Sequence, residues 1–291
     1  MVTLQRFPSF RILTETLTTG FDGSLLTSST LFVSLPRQEY RLQLGSSVNA
    51  GREFMAKKTS KRASRQTVLA IDIGGSRVKV MTNRDRTRRA IASGPDLSAK
   101  AMVTKVKALT KDWSYDVISI GYPGPVINNR PLSEPHNLGL GWAGFNFEKV
   151  FGRPTRVVND ALMQAIGSYQ GGRMLFLGLG TGLGSAMIVE GMLEPMELAH
   201  LPYRNGRTFE QWVGAAALKR VGRKKWQRAI DDVLKRLLAA LEPDYVMLGG
   251  GNADKIDKLP RKVRLGANTN AFEGGFRLWK KGAFKPPDVR R

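Results

Sequence analysis

The sequence has no cysteine, so disulfide staples, thiolate nucleophiles and cysteine-ligated zinc lie outside its chemistry. Histidine is nearly as scarce: His136 and His200 are the only two, which leaves little for a histidine-rich metal centre. No apolar run approaches the roughly 18 uninterrupted residues that a membrane-spanning helix needs. Acidic residues are also in short supply, 24 Asp and Glu against 46 Lys and Arg, leaving a formal charge of +22 on 291 residues. A surface of that sign draws polyanions. Nucleic acid, an anionic membrane surface, polyphosphate and nucleotides all answer that description, and net charge alone does not choose among them.

The length accommodates two compact domains. The first 54 residues stand apart from the rest: they are rich in Ser, Thr and Leu, contain Pro8 and Pro36, and keep neither a helical nor a strand period. They carry Arg6, Arg11, Arg37, Arg41 and Arg52 against Glu15, Asp22, Glu39 and Glu53, so nearly all of the excess charge lies beyond them. Met55-Ala56-Lys57-Lys58-Thr59 reads as a translation start with a basic leader. Residues 1–65 are therefore expected to be a disordered or mis-started extension followed by that leader. Arginines and hydroxyl residues would also suit a targeting segment, and the four acids argue against it.

Structure is expected from Thr67 onward. The β-branched run T-V-L-A-I-D-I (67–73) reads as a buried strand, Gly74-Gly75-Ser76 as a tight turn, and R-V-K-V-M (77–81) as the returning strand. Helical spacing follows over 98–113, then a strand at 116–121 halted by Y-P-G-P, a strand at 155–160 and a helix from about 161 to 169. Residues 173–189 read as two strands joined by a glycine-rich turn. A helix over roughly 225–241 precedes a strand at 244–248 that feeds G-G-G-N. The alternation argues for an α/β protein, and no short internal repeat is visible.

Four clusters could carry chemistry. In Asp72-Ile73-Gly74-Gly75-Ser76, a glycine turn lets backbone N–H groups approach a phosphate, with Ser76 and Lys79 adding a hydroxyl and a cation. Asp72 could hold Mg²⁺ through water, since that ion keeps part of its hydration shell; a plain hairpin turn would also account for the motif. L-G-L-G-T-G-L-G (177–184) exposes much backbone around Gly180, Thr181 and Gly182, for which phosphate contact or a structural turn are the two explanations. It is not the phosphate loop that ends in Gly-Lys-Ser/Thr, nor a dinucleotide fingerprint. V-V-N-D (157–160) puts Asn159 and Asp160 at the carboxyl end of a strand, where open α/β sheets bind ligands. An aspartate there could act as general base towards a hydroxyl, worth roughly 10²–10⁴ in rate, or the pair could simply cap a helix. Glu197, His200 and Glu210 form a carboxylate–imidazole group suited to sugar hydroxyls. Thr208 and Gln211 have capping-box spacing, which would place Glu210 in a helix's first turn.

In order along the chain, D-I-G-G-S, G-Y-P-G-P-V (121–126), P-H-N-L-G-L-G-W (135–142), V-V-N-D, G-L-G-T-G-L-G-S, E-L-A-H and L-G-G-G-N resemble the ROK family of sugar kinases, and within it the polyphosphate glucokinase branch. The similarity runs over about residues 68–279. It implies an actin-like, ribonuclease-H-like fold, with two α/β domains closing on a central cleft. The expected division is a small domain over 66–170, completed by a C-terminal helix near 270–282, and a large domain over 171–269. The resemblance implies phosphoryl transfer from ATP or inorganic polyphosphate to the 6-hydroxyl of glucose or a similar hexose, with Asp160 as base. It implies that Asn159, Glu197, His200, Glu210 and Asn137 contact the sugar. It assigns Gly74, Gly75, Ser76, Gly180, Thr181, Gly182, Gly249 and Gly250 to the phosphate donor; on the reading of the residues above, Asp72 and Lys79 join them, with Mg²⁺ at Asp72. A cytoplasmic homodimer, with no membrane and no specific nucleic acid as partner, is part of the same expectation.

Three features depart from the family pattern. Many members hold zinc through a histidine and clustered cysteines; with no cysteine no zinc is expected here, as in the polyphosphate branch. The usual E-x-G-H is Glu197-Leu198-Ala199-His200, and alanine would be strained if that position required a positive φ. Ser76 replaces a more usual threonine and keeps the hydroxyl. For polyphosphate, candidate cations are Arg84, Arg86, Arg88 and Arg89, the run Lys219 to Lys225, and Lys255 to Arg264; solvated faces would look the same. Two other functions share the frame. A sugar-responsive repressor would need an N-terminal helix-turn-helix, and residues 1–66 lack two amphipathic helices at that spacing. A non-catalytic polyanion-binding protein would suit the charge but not the retention of Asp72, Asp160 and both glycine turns.

Overall fold

The computed structural model describes residues 66–267 and 269–285; the expectation for residues 1–65 lies outside them. The chain from residue 66 builds a five-stranded sheet from β1 (Val68–Ile73), β2 (Arg77–Thr82), β3 (Arg89–Ala92), β4 (Val117–Tyr122) and, after a two-stranded hairpin of β5 (Val126–Ile127) and β6 (Arg130–Pro131), β7 (Thr155–Asn159). Helices α1 (Ala99–Leu109) and α2 (Phe147–Phe151) belong to this half, and α3 (Asp160–Ser168) leaves it. A second sheet follows from β8 (Arg173–Leu179), β9 (Leu183–Val189), β10 (Met192–Met196), β11 (Tyr245–Gly249) and β12 (Val263–Leu265). Helices α4 (Glu210–Val213) and α5 (Ala215–Leu241) lie between β10 and β11, and α6 (Asn270–Arg277) closes the described chain.

The two sheets have the same topology. The first runs β3-β2-β1-β4-β7 and the second β10-β9-β8-β11-β12. In each, the first three strands form an antiparallel meander and the last two add in parallel to the first. A glycine turn joins the first two strands of each meander, at 74–76 and at 180–182. The duplication is one of pairing pattern, which is why no sequence repeat announces it. This is the ribonuclease-H-like arrangement that the family resemblance implies.

Alternation along the central strands sorts the core into layers. On β1, Leu69, Ile71 and Ile73 face α1 and α2, while Val68 and Ala70 face Phe272 and Phe276 of α6. On β8, Leu175, Leu177 and Leu179 face α5, while Met174 and Phe176 face α3. The order is therefore α1 and α2, first sheet, α6 with α3, second sheet, α5. The two inner helices cross at glycine: a methyl group at Gly274 would stand 1.7 Å from the Met163 carbonyl oxygen, and one at Gly167 1.9 Å from that of Asn270. Gly275 lets α6 lie on Ala70 and Ser119, whose hydroxyl donates to the Gly275 carbonyl (2.6 Å) and accepts from the Trp279 indole (2.9 Å).

Helix α5 begins ten residues earlier than the sequence period suggests and breaks at Gly222, whose φ of 75° is not helical. No helix among the described residues is long and apolar enough to cross a membrane.

Candidate active site

The first turn is shaped by its own hairpin. The Gly74 N–H donates to the Arg77 carbonyl (3.1 Å), the Ser93 hydroxyl to the Gly74 carbonyl (2.6 Å) and the Ser93 N–H to the Ser76 carbonyl (3.1 Å). The carbonyls are thus turned inward, and the N–H groups of exposed Gly75 and Ser76 have no protein acceptor among the described residues. Asp72, one residue inside the turn's base, is in register with Lys79 across the hairpin, 3.5 Å from its ammonium. Burial raises the Asp72 pKa, and Lys79 opposes that rise. Asn137 stands against this turn, its Cβ 3.5 Å from where a side chain at Gly75 would begin. Its loop is tied by Glu134, which accepts from the N–H groups of Trp142 (3.0 Å) and Ala143 (3.2 Å).

The second turn is clamped from outside. The Gly180 N–H donates to the Gly182 carbonyl (3.1 Å); the Ala215 N–H reaches the carbonyls of Gly180 (3.1 Å) and Thr181 (3.2 Å); the Asn252 amide donates to Gly180 (3.0 Å). The N–H groups of Thr181 and Gly182 have no protein acceptor among the described residues. Gly249 and Gly250 lie beside this turn for reasons of packing. A side chain at Gly249 would strike the Phe176 ring at 2.7 Å, and one at Gly250 (φ 82°) the Leu179 carbonyl oxygen at 2.5 Å. Their close approach lets the Asn252 N–H reach Leu179 (2.9 Å). The neighbour that is both exposed and unobstructed is Gly251.

Asp160 lies where the two halves meet. Gly121 on β4 leaves room for the Met163 methyl, 2.6 Å from where a side chain would begin, with the Asp160 Cα in contact at 3.4 Å, and Gly184 on β9 leaves room for Ala161, whose Cβ would be 2.9 Å from a methyl there. Asn159 is the helix cap: its oxygen accepts from the N–H groups of Ala161 (2.9 Å) and Leu162 (3.2 Å), and its amide donates to Gly124 (3.1 Å). One amide hydrogen is left for a ligand. The capping and ligand readings of V-V-N-D thus separate: Asn159 does the capping and leaves the Asp160 carboxylate at the strand end. Asp160 is half-buried, and its pKa is pushed up to about 7, first by burial, then by the negative charge of Asp72 and also by Glu197; the Ala161 N–H (2.7 Å) opposes the rise. A carboxylate poised near neutrality is what a general base requires.

Glu197 is held on either side by Ser185, whose hydroxyl donates to the Met196 carbonyl (2.8 Å) and accepts from the Leu198 N–H (3.1 Å). Residues Leu198–His200 form one 3₁₀ turn in which Ala199 is buried and not left-handed, so alanine there carries no strain. His200 is exposed, and no hydrogen bond ties it to the Asp160 cluster among the described residues. Glu210 opens α4, behind the reciprocal Thr208–Gln211 pair that the spacing predicted. Its Oε2 accepts from the Leu183 N–H (3.1 Å), at the foot of the second glycine turn. A cavity of about 870 Å³ opens beside Asn159 and Glu197, walled by Val126, Leu193, Trp279 and Phe284. Another of about 770 Å³, around Arg84, Arg86 and Lys280, lies outside the Asp160 cluster.

Two of the three basic runs come together. Arg223 donates to the Lys255 carbonyl (2.8 Å) and pairs with Asp257, and the Lys255 ammonium donates to Asn252 (2.8 Å), the residue bonded to Gly180. In the Arg84–Arg89 run, Arg86 pairs with Glu273 and Arg89 with Asp112 (2.7 Å). Asn252 was not singled out as a site residue in the sequence, whereas Lys255 was among the candidate polyphosphate cations; Asn252 lies just after the three glycines. Among the described residues no three Asp, Glu or His side chains group closely enough to hold an ion by themselves. A lone half-buried carboxylate such as Asp72 is nonetheless compatible with Mg²⁺, which commonly takes one or two carboxylates, several waters and substrate phosphate oxygens.

No protein-family model matches the chain. It is 26% identical over 209 residues to a polyphosphate glucokinase of Mycobacterium leprae, a match covering 66% of this chain and 61% of that relative, so the chain spans about three fifths of the relative's length. Among solved structures it superposes on an inorganic polyphosphate/ATP-glucomannokinase from Arthrobacter sp. strain KM with a TM-score of 0.63 at 22% identity, over 72% of this chain and 97% of that one. A ROK family glucokinase from Streptomyces griseus, in complex with glucose and AMPPNP, gives a TM-score of 0.62 at 18% identity, over 73% and 98%. The chain has the actin-like fold of the ROK sugar kinases and resembles, within them, the polyphosphate glucokinase branch.

Proposed function

We propose that the protein is a sugar kinase that transfers the terminal phosphoryl group of inorganic polyphosphate, of ATP, or of both to the 6-hydroxyl of glucose or a closely related hexose. The observation that carries this reading is Asp160: a strand-end carboxylate whose pKa is pushed up to about 7 by burial and by the charges of Asp72 and Glu197.

In this reading Asp160 accepts the hydroxyl proton as the sugar oxygen bonds to the terminal phosphorus. The bond from that phosphorus to its bridging oxygen breaks, and ADP or a polyphosphate one unit shorter departs. Such transfers are catalysed mostly by positioning and electrostatic stabilisation. The free N–H groups of Gly75, Ser76, Thr181 and Gly182, with the Ser76 hydroxyl and Lys79, suit the donor's phosphates. Glu197, His200, Asn137, Glu210 and the remaining amide hydrogen of Asn159 suit the sugar's hydroxyls. Mg²⁺ held through water by Asp72 would supply neutralisation of donor charge. Use of polyphosphate is supported by Lys255 and Arg223, two cations linked to the second turn through Asn252.

A glucose 6-phosphate assay with glucose, Mg²⁺ and either ATP or polyphosphate tests the proposal. Turnover with either donor, lost in Asp160→Asn while glucose still binds, is the expected result. No turnover with either donor on glucose, mannose, glucosamine or fructose would leave the fold as a polyanion-binding scaffold.

A further inference from the structure

The first glycine turn is held by a residue that lies outside it. Ser93 is the first residue beyond β3, whose last residue, Ala92, pairs with Arg77 at the start of β2. The third strand of the meander thereby delivers Ser93 to the turn between the other two. Its hydroxyl donates to the Gly74 carbonyl (2.6 Å) and its N–H to the Ser76 carbonyl (3.1 Å). A peptide unit is planar and trans, so its C=O and N–H point in opposite directions. The Gly74 carbonyl shares its plane with the Gly75 N–H. Holding that carbonyl inward therefore aims the Gly75 N–H outward, at an exposed position where it has no protein acceptor among the described residues. Little else fixes this plane. Gly74 and Gly75 both lack the Cβ that restricts rotation about the bonds flanking a peptide. The next plane, from Gly75 to Ser76, has no bond to protein at either end among the described residues. A flip of the Gly74–Gly75 plane would offer an incoming phosphate a carbonyl oxygen in place of a donor.

We propose that Ser93 is a positioning residue for the phosphoryl donor: its hydroxyl locks the Gly74–Gly75 peptide with the N–H outward before any ligand arrives. Ser93 acts through the Gly75 N–H and needs no contact of its own with donor or sugar. Donors set in place beforehand cost no reorganisation when charge develops on the transferring group. The proposal rests on the kinase reading above and adds to it a residue from a stretch that carries neither a glycine turn nor a carboxylate motif. The half-buried side chain leaves room for the conservative exchange to threonine, which keeps the hydroxyl.

The test compares Ser93→Ala and Ser93→Thr with the parent in steady-state kinetics, with Mg-ATP and polyphosphate as donors, and in calorimetry of Mg-ATP without sugar. Ser93→Ala removes the hydroxyl and leaves the N–H bond to Ser76. Deleting a preorganised donor outright costs about 10²–10³ in rate; here the N–H stays and only its aim is lost, so kcat/KM should fall by about tenfold for each phosphoryl donor. Mg-ATP alone should bind more weakly by a similar factor, while KM for glucose stays at the parent's value. Ser93→Thr should restore donor kinetics and Mg-ATP binding. Unchanged donor kinetics in Ser93→Ala, a loss of the same size in folded Ser93→Thr, or an equal loss of glucose affinity would each overturn the proposal, the last by showing general damage to the fold. A parent that binds Mg-ATP but turns over with neither donor would overturn the kinase reading; weaker Mg-ATP binding in Ser93→Ala would then still support the positioning role, and unchanged binding would overturn it. A parent that binds no Mg-ATP and uses no donor would overturn both.

Discussion

At the scale of single residues, the environment of Asp160 dictates how activity and stability respond to pH. Burial and the charges of Asp72 and Glu197 favour its protonated form, so as the proposed base it would be competent only as pH rises through about 7. The kcat profile is expected to show an acidic limb with its midpoint near that value. In Asp72→Asn one of the negative neighbours is gone, and the midpoint should move to lower pH even as the maximal rate falls; an unmoved midpoint would mean that the titrating group is not Asp160. The same shift has a thermodynamic side. Because the folded protein holds this proton up to about pH 7 and the unfolded chain releases it near 3.8, stability attributable to Asp160 falls as pH rises across that interval. Asp160→Asn keeps an oxygen for the Ala161 N–H and removes the charge. Its melting temperature should exceed the parent's at pH 8 and match it at pH 4, while turnover drops by roughly 10²–10⁴. A variant that is inactive and also less stable at pH 8 would point to a structural role for the carboxylate instead.

At the scale of elements, the crossing of α3 and α6 decides whether the two sheets share one core. Replacing a helical glycine by alanine ordinarily gains about 0.5–1 kcal/mol. At Gly274 the new methyl would lie 1.7 Å from the Met163 carbonyl oxygen, backbone against backbone, with no rotamer to relieve it. Overpacking of this kind typically costs about 1–3 kcal/mol and occasionally more, so Gly274→Ala should destabilise by a net ~2 kcal/mol or more in urea or thermal unfolding. A neutral or stabilised variant would show that the helices separate freely. Sequence legibility divides along the same physical line. Strands β1, β4, β8 and β11 could be read because they are buried on both faces and therefore apolar throughout, and both glycine turns because few other residues allow them. Three of the four edge strands could not: R-A-I-A of β3 is half exposed, β10 contains Pro195, and β12 is three residues long, the short, charged or proline-marked character of sheet edges. The first turns of α5 were hidden by Gly222 and by K-R-V-G-R-K-K, where solvated cations dilute the apolar stripe. In the site, the carboxylates and turns were legible as residue types at strand ends. The packing role of Gly249 and Gly250, and the anchoring of Glu210 to Leu183, were not, because each depends on a segment distant in sequence.

At the scale of the whole molecule, the charge of +22 asks for a partner, and its placement narrows the choice. Cations spread evenly would attract any polyanion. Here Lys219, Arg220, Arg223, Lys224, Lys225 and Arg228 follow one another on α5 without an intervening acid. Arg223 fastens that stretch to the loop whose Lys255 touches Asn252, the residue bonded to Gly180 of the second glycine turn. If the donor binds at the second glycine turn as proposed, a long polyphosphate has phosphates to spare for this stretch and ATP does not. Changing Lys224, Lys225 and Arg228 to Glu should therefore raise KM for long polyphosphate by roughly tenfold or more, and leave KM for ATP and for glucose within about twofold. Salt provides the second readout. On single-stranded nucleic acids each phosphate contact contributes roughly 0.7 to the slope of log affinity against log salt, so the loss of three cations should flatten that slope by about two for polyphosphate and leave the ATP slope alone. Equal losses for both donors would assign this face to general attraction of anions. An unchanged KM for polyphosphate would mean that the chain leaves the donor turn in another direction.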